Sequence, residues 1–168
     1  EQGRYPDAEA NYRKALSIEE RKRGSSDPAL TPMLTNLGTL SFYRGRYSEA
    51  EKLYRRSLAI QEKAGANTSS TLNNLAVLYR AQARYSDAER LYIRALILRE
   101  KVVGPKHPEV AKVLTNLADL YTRQPRYATA EAFLRRALAI SEESVGPDHP
   151  AVASSLTSLA VLAAPAHN

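Results

Sequence analysis

Tyr5-Pro-Asp-Ala8-Glu9, Tyr47-Ser-Glu-Ala50-Glu51, Tyr85-Ser-Asp-Ala88-Glu89 and Tyr127-Ala-Thr-Ala130-Glu131 are one pentapeptide written four times. Each copy follows an arginine: Arg4, Arg46, Arg84 and Arg126. The copies are spaced 42, 38 and 42 residues apart. Self-similarity at such a period marks a solenoid, in which each unit buries its apolar face against the next. A length of 168 residues allows one ordinary domain or a short array, and the repeat decides for the array.

Each unit reads as two helices. Leu72, Leu75, Ala76 and Tyr79 recur at three- and four-residue steps, which is one face of a helix. Gln82-Ala83-Arg84 is a short polar break. Ser86 then reads as an N-cap, with Asp87 and Glu89 in the first turn, where the helix dipole favours negative charge. Ala88, Leu91, Tyr92, Ala95, Leu96 and Leu98 form a second apolar stripe. The same reading puts first helices near 29–43, 69–81, 108–122 and 151–163, and second helices near 6–22, 48–64, 86–103 and 128–145. The array divides into 1–28 (a second helix only), 29–68, 69–108, 109–150 and 151–168 (a terminal first helix). Glu1-Gln2-Gly3 matches the end of a further first helix, which makes nine helices and no strand. Residue 1 is not methionine and neither end has a polar capping unit, so the chain reads as a fragment or a trimmed protein. The apolar face of 151–163 is expected to pack on a second copy or on residues missing here.

Small residues recur at matched registers. Gly38, Ala76, Ala118 and Ala160 lie in first helices, and Ala15, Ser57, Ala95 and Ala137 in second helices. Small side chains at one register let two helix backbones approach, and a bulky residue there would overpack the contact at roughly 1–3 kcal/mol. Tyr12, Tyr54, Tyr92 and Leu134 form the column expected to face the small ones. Between units, Gly104-Pro-Lys-His-Pro108 and Gly146-Pro-Asp-His-Pro150 are near copies, and Gly24-Ser-Ser-Asp-Pro28 is a looser third. Glycine ends one helix and proline opens the next. Ala64-Gly-Ala-Asn-Thr68 replaces this element and accounts for the single 38-residue spacing.

Leu75-Ala76-x-x-Tyr79 followed by Ala88-x3-Tyr92 resembles the tetratricopeptide repeat signature, as does Leu117-Ala118-x-x-Tyr121 with Ala130-x3-Leu134. Leu37-Gly38-x-x-Ser41 departs from it by losing the tyrosine. The lengthened period, with Arg94-Ala-Leu96, Arg99-Glu-Lys101 and His107-Pro-Glu-Val-Ala111, is similar to the kinesin-light-chain type of this repeat. The resemblance covers almost the whole chain. It implies an all-α protein, an α-solenoid built as a right-handed superhelix of antiparallel helix pairs. It also implies a scaffold for protein–protein interaction, with first helices lining the concave face.

On that face the inward column is Asn36, Asn74 and Asn116, with Ser158 a doubtful fourth member. An asparagine amide donates and accepts, so it can grip an extended peptide backbone whatever its sequence. The resemblance implies this contact for the three asparagines; the bland reading is that each amide satisfies a neighbouring helix. Neighbouring columns would set specificity: Thr35, Asn73, Thr115 and Thr157 in one, Thr39, Val77, Asp119 and Val161 in another, and Phe42, Arg80 and Thr122 in a third, beside Tyr43 and Arg123. Lys112, Arg80 and Arg123 give the groove positive character that suits an acidic peptide, and Asp119 offsets part of it. A complete carboxylate clamp is not expected, because Thr35 stands where a basic residue is needed.

The net charge of +6 is unevenly spread, with six basic against three acidic groups in 29–68 and seven against three in 69–108. That excess could favour an acidic partner, or simply solvate outward helix faces. Nucleic acid is not expected, because the tyrosines that could stack bases fall in repeat columns that read as core. Catalysis and cofactors are not expected either. His107 and His149 are copies of one linker residue, His167 lies in the tail, and no metal-ligand pair, phosphate loop or nucleophile motif occurs. The absence of cysteine fits a reducing compartment, no signal peptide is present, and no apolar run approaches the ~20 residues of a membrane span. The expectation is a cytoplasmic protein that binds a protein or peptide partner. The alternative is a structural spacer, or a module that self-associates through open solenoid ends or the convex face.

Overall fold

The computed structural model describes residues 4–163. Among them are eight α-helices and no strand: α1 (Arg4–Arg23), α2 (Thr31–Tyr43), α3 (Tyr47–Lys63), α4 (Ser69–Ala81), α5 (Tyr85–Val103), α6 (Pro108–Thr122), α7 (Tyr127–Val145) and α8 (Pro150–Ala163). A 3₁₀ turn, Pro28–Leu30, leads into α2. The ninth helix, expected from Glu1-Gln2-Gly3, and His167 lie outside the described residues.

The chain forms two compact units, meeting in sequence between Gln82 and Ala83. In the first unit α1 packs on α2, α2 on α3 and α3 on α4, and α2 also touches α4. Its core gathers Leu16, Leu30, Leu34, Leu37 and Ile60, with Tyr12, Met33 and Leu53 against them. In the second unit α5 packs on α6, α6 on α7 and α7 on α8. Val110, Leu114, Leu117, Leu120, Leu134, Ile140 and Val152 are among its large buried aliphatics.

The small-to-large register is visible in the α2–α3 pair. A Cβ placed on Gly38 would lie 2.6 Å from Cε1 of Tyr54. The Tyr54 ring therefore lies close against α2 at Gly38, and its hydroxyl pairs with Thr39 Oγ1 at 3.0 Å. In the α6–α7 pair the same registers hold Ala118 and Leu134, both buried.

The linkers show why three residue types recur at one place. The Asp27 carboxylate accepts from the Ala29 amide at 2.8 Å, the Asn67 carbonyl from the Ser69 amide at 2.9 Å, and His107 Nδ1 from the Glu109 amide at 3.2 Å. Each side chain satisfies an amide two residues on, at a helix entrance whose first N–H groups have no helical partner. This gives His107 a structural task.

Two expectations are corrected. Ser86 is not an N-cap: α5 begins one residue earlier, with Arg84 at the cap position and no side-chain capping bond. The motif tyrosines are not uniformly core either, since Tyr127 is 55% exposed and Tyr47 and Tyr85 are only half-buried. Tyr47 instead lies beside Phe42, the rings tilted by 34° with centroids 5.7 Å apart.

Candidate peptide-binding face

The ends of the repeated motif, Arg before the tyrosine and Glu at the close, form braces between successive repeats. Glu9 accepts from Arg46 at 2.6 Å, and from Arg44 and Arg13 as well. Glu89 accepts from Arg126 at 3.3 Å, again a partner 37 residues on. It also accepts from the Tyr121 hydroxyl at 2.7 Å. The Arg126 guanidinium lies 4.3 Å from the centroid of the Tyr121 ring, which stacks on Phe133. In the first unit the Tyr79 hydroxyl donates to Glu51 at 2.8 Å and accepts from Arg55 at 2.6 Å. Where Ser41 replaces the tyrosine, Arg44 and Arg46 take up Glu9 in its stead.

These surroundings shift protonation in the sense electrostatics requires. The Arg46 hydrogen bond is the main cause that holds the Glu9 carboxyl below its ordinary range, against the opposing effect of burial. Burial, followed by the hydrogen bond to Glu89, pushes the Tyr121 phenol up to about 12.

A second set of braces ties helices to linkers. Arg56 binds Glu20 at 2.6 Å and the Ser25 carbonyl at 2.7 Å. Arg136 binds Glu100 at 2.5 Å and the Pro105 carbonyl at 3.4 Å. Sequence reasoning noticed the motif arginines and glutamates and placed Glu89 at the helix dipole, but gave them no task between repeats. The signal was available, because both recur at one register, and only the structure shows that Arg46 and Arg126 reach back to Glu9 and Glu89 of the previous motif. Arg55 likewise has a structural role, through Glu51 and Tyr79.

The expected site residues are divided between the units. Asn36, Asn73, Asn74 and Arg80 lie in the first; Lys112, Asn116 and Arg123 lie in the second. Asn36 and Asn74 hold equivalent registers on α2 and α4, which touch. Asn36 is exposed and donates to the Tyr12 hydroxyl at 3.3 Å, while Asn73, Asn74 and Arg80 are half-buried. Thr35 and Thr39, from the columns expected to set specificity, turn toward α3. Thr35 Oγ1 donates to the Thr31 carbonyl and pairs with Ser57, and Thr39 donates to the Thr35 carbonyl and pairs with Tyr54.

In the second unit Lys112 and Asn116 share the wall of a cavity of about 430 Å³. Its lining comes from α6 (Pro108, Ala111, Thr115), the last turns of α7 (Ser141, Ser144, Val145) and the entrance of α8. Ser141 and Thr115 donate their hydroxyls to the carbonyls of Ala137 and Ala111, so these walls present methyl and methylene groups more than donors. Lys112 lies 3.3 Å from Glu109, and Arg123 lies 3.5 Å from Asp119. Each cation of the expected positive groove on α6 thus stands beside a carboxylate. No group of three or more potential metal-binding side chains occurs among the described residues, and none of the described helices is long and apolar enough to cross a membrane.

Antiparallel helix pairs on a repeat of this length define an α-solenoid repeat protein. A tetratricopeptide repeat family model matches residues 1–63 and 67–143, and the chain belongs to that family. The structure of BtubC (BKLC) from P. vanneervenii is similar, with TM-score 0.86 and 27% identity over 96% of this chain. The chain spans 66% of that protein's length, just under two thirds. Two structures of a kinesin light chain-like protein with nearly identical TPR-like repeats, from Podosopora anserina, share the fold at TM-scores 0.81 and 0.80. Each is 21% identical over 96% of this chain and 78% of its own length. No curated protein matches the sequence. Tetratricopeptide repeats are generally protein–protein interaction modules.

Proposed function

We propose that the first helices bind an extended peptide segment through the asparagine register. The observation that carries this reading is the placement of one amide at the same register of α2, α4 and α6: exposed at Asn36, half-buried at Asn74 and Asn116. The hydroxyls of Thr35 and Thr39 serve helix packing, whereas the exposed Asn36 amide gives one N–H to Tyr12 and keeps its carbonyl and second N–H toward solvent. An amide offers a peptide backbone both a donor and an acceptor. Acidic residues in the peptide are favoured at Lys112, whose side chain is 74% exposed one turn before Asn116.

The test compares two double variants by calorimetry against a peptide selected from an array of partner sequences. Asn74→Ala with Asn116→Ala removes two backbone contacts, each worth roughly 1–3 kcal/mol when the partner group is left unpaired. Affinity should fall by at least about tenfold. Lys52→Ala with Lys101→Ala alters exposed positions on second helices and should leave affinity unchanged. The opposite pattern would move the interaction surface to the second helices.

A second reading, self-association, is favoured by α8. Leu156 is 50% exposed and Val161 is 70% exposed, whereas Leu34, Leu72 and Leu114, at the register of Leu156, are fully buried. An apolar helix face of this kind is a contact surface. Sedimentation across a concentration series separates the readings, and Leu156→Lys should abolish any dimer.

A further inference from the structure

The linkers that follow α1 and α5 are built alike. Each leaves its helix through a glycine at φ +89°, Gly24 and Gly104. Each is tied down by an arginine of the next second helix. Arg56 binds Glu20 and the Ser25 carbonyl, and Arg136, at the matched register, binds Glu100 and the Pro105 carbonyl. The two linkers part at the following position. In the second unit Lys106 of the linker pairs with Glu143 of α7 at 2.9 Å. In the first unit the same registers hold Ser26 and Lys63. The cation has moved to the helix, and the linker offers it a neutral hydroxyl in place of an anion.

The surroundings of Ser26 suit an added negative group. Ser25, Ser26, Arg56 and Lys63 line a surface cleft of about 340 Å³ between the linker and α3. That is about ten times the ~30 Å³ share of one water molecule, which leaves room for a phosphoryl group. Both serines and Lys63 are exposed, and Lys63 makes no ion pair among the described residues. The nearby carboxylates are engaged, Glu20 with Arg56 at 2.6 Å and Asp27 with the Ala29 amide at 2.8 Å. Just before the linker, the last turn of α1 carries Arg21-Lys22-Arg23, where α5 has Lys101-Val102-Val103. The basic run and the paired serines thus depart from the second unit together.

We infer that Ser26 is a phosphorylation site whose phosphate completes the linker-to-helix ion pair with Lys63, with the polarity of the Lys106–Glu143 pair reversed. The enzyme class is a basophilic protein kinase, which reads Arg21 and Arg23 five and three residues before the serine. Those arginines lie in a helix end, which opens at little cost. Ser26 Oγ attacks the terminal phosphorus of a nucleoside triphosphate. The bond from that phosphorus to the bridging oxygen breaks, the nucleoside diphosphate leaves, and the hydroxyl proton passes to the kinase's base. The product carries about −1.5 to −2 charge at neutral pH and three acceptor oxygens. Lys63 and Arg56 are the cations at hand in the cleft, so the phosphate clasps the α1–α2 linker to α3. This site is independent of the asparagine register.

The experiment treats the folded chain with ATP and a purified basophilic kinase, one that selects arginine three and five residues before the serine. A kinase that selects acidic residues is run beside it. Fragment mass spectrometry should place one phosphate on Ser26 with the first enzyme and none with the second. Ser26→Ala should abolish the incorporation and Ser25→Ala should leave it. Phosphorus NMR of the purified product then reads the pairing. Near pH 6, where a phosphoserine titrates, the ratio of dianion to monoanion should be about two- to fivefold higher in the wild type than in Lys63→Ala, as one exposed ion pair supports. Lys52→Ala, at another exposed lysine of α3, should match the wild type. An unmodified Ser26, or equal labelling by the two kinases, would overturn the inference. So would one ratio shared by the wild type and Lys63→Ala.

Discussion

Replacing Gly38 by alanine should destabilise the protein in one background and stabilise it in another. The added methyl would sit 2.6 Å from Cε1, 2.8 Å from Cδ1 and 3.2 Å from Cζ of Tyr54. The ring cannot easily give way: it is 3% exposed and its hydroxyl is tied to Thr39 at 3.0 Å. Overpacking of this kind costs roughly 1–3 kcal/mol. Alanine in a helix interior recovers about 1 kcal/mol over glycine, so Gly38→Ala alone should lose up to about 2 kcal/mol. Tyr54→Leu removes the ring and leaves the combination that unit two already uses, a leucine at the register of Leu134 beside an alanine at that of Ala118. In that background Gly38→Ala should gain about 1 kcal/mol, the helix propensity alone. The assay is urea unfolding followed by far-UV circular dichroism, with the slope checked for constancy across the four proteins. The coupling energy of the cycle should be about 1–3 kcal/mol. If Gly38→Ala has the same sign and size in both backgrounds, the glycine does not gauge the α2–α3 approach, and the small-to-large register is a coincidence of sequence.

Three further outcomes are expected. The Ser69 hydroxyl is fully buried without a hydrogen bond, and the aligned position in α6 is Ala111; Ser69→Ala should raise stability by roughly 1 kcal/mol in thermal melts, and a loss would show the hydroxyl to be satisfied. Ala83 holds a φ of +57° where the equivalent turn has Gly45 at +71°; Ala83→Gly should stabilise by about 0.5–1 kcal/mol and Ala83→Val should destabilise, and matching signs would remove the strain argument. The Tyr121 phenol, ordinarily near 10.0 and raised to about 12 in the fold, gives stability that is complete below pH 10.0 and lost as pH rises through 12. Tyr121→Phe should therefore flatten the fall in urea midpoint across that window, and an unchanged slope would refute its role.

The helices were legible because core-facing residues repeat at a helical step and the copies check one another. The helices expected near 69–81 and 108–122 are α4 and α6 to the residue. The pairing of small with large columns was legible for the same reason, since both columns recur. The starts of the second helices were not. Ser86 has the chemistry of a cap, but the preceding turn closes on the backbone instead. Arg46 and Arg126 donate their amides to the carbonyls of Ser41 and Tyr121, and helix geometry begins at the next residue. The exposure of Tyr127 was hidden because a column shows that a residue recurs but not how deeply each copy lies. The cavity beside Lys112 and Asn116 was harder still, because recurring columns show which residues align but not the space left between them. Of the candidate face, the register of the asparagines was legible, but the inward turn of Thr35 and Thr39 depends on what α3 presents to them.

The charge distribution illustrates how a correct count can suggest the wrong physics. Residues 29–68 carry six basic and three acidic groups, which looks like a free positive field in the middle of the chain. Arg44 and Arg46 belong to that segment, but their partner Glu9 belongs to the one before, as does Glu20, the partner of Arg56. Within the segment Arg55 is held by Glu51, and Lys52 and Lys63 are the exposed lysines. Dividing the sequence at repeat boundaries separates each arginine from the carboxylate it binds, so part of the surplus is produced by where the boundary falls. The paired arginines act at hydrogen-bond distance between repeats and contribute little beyond a Debye length. Attraction of an acidic ligand must then come from cations that stand well out in solvent. Lys112, 74% exposed on α6 and one turn before Asn116, is such a cation on the candidate face.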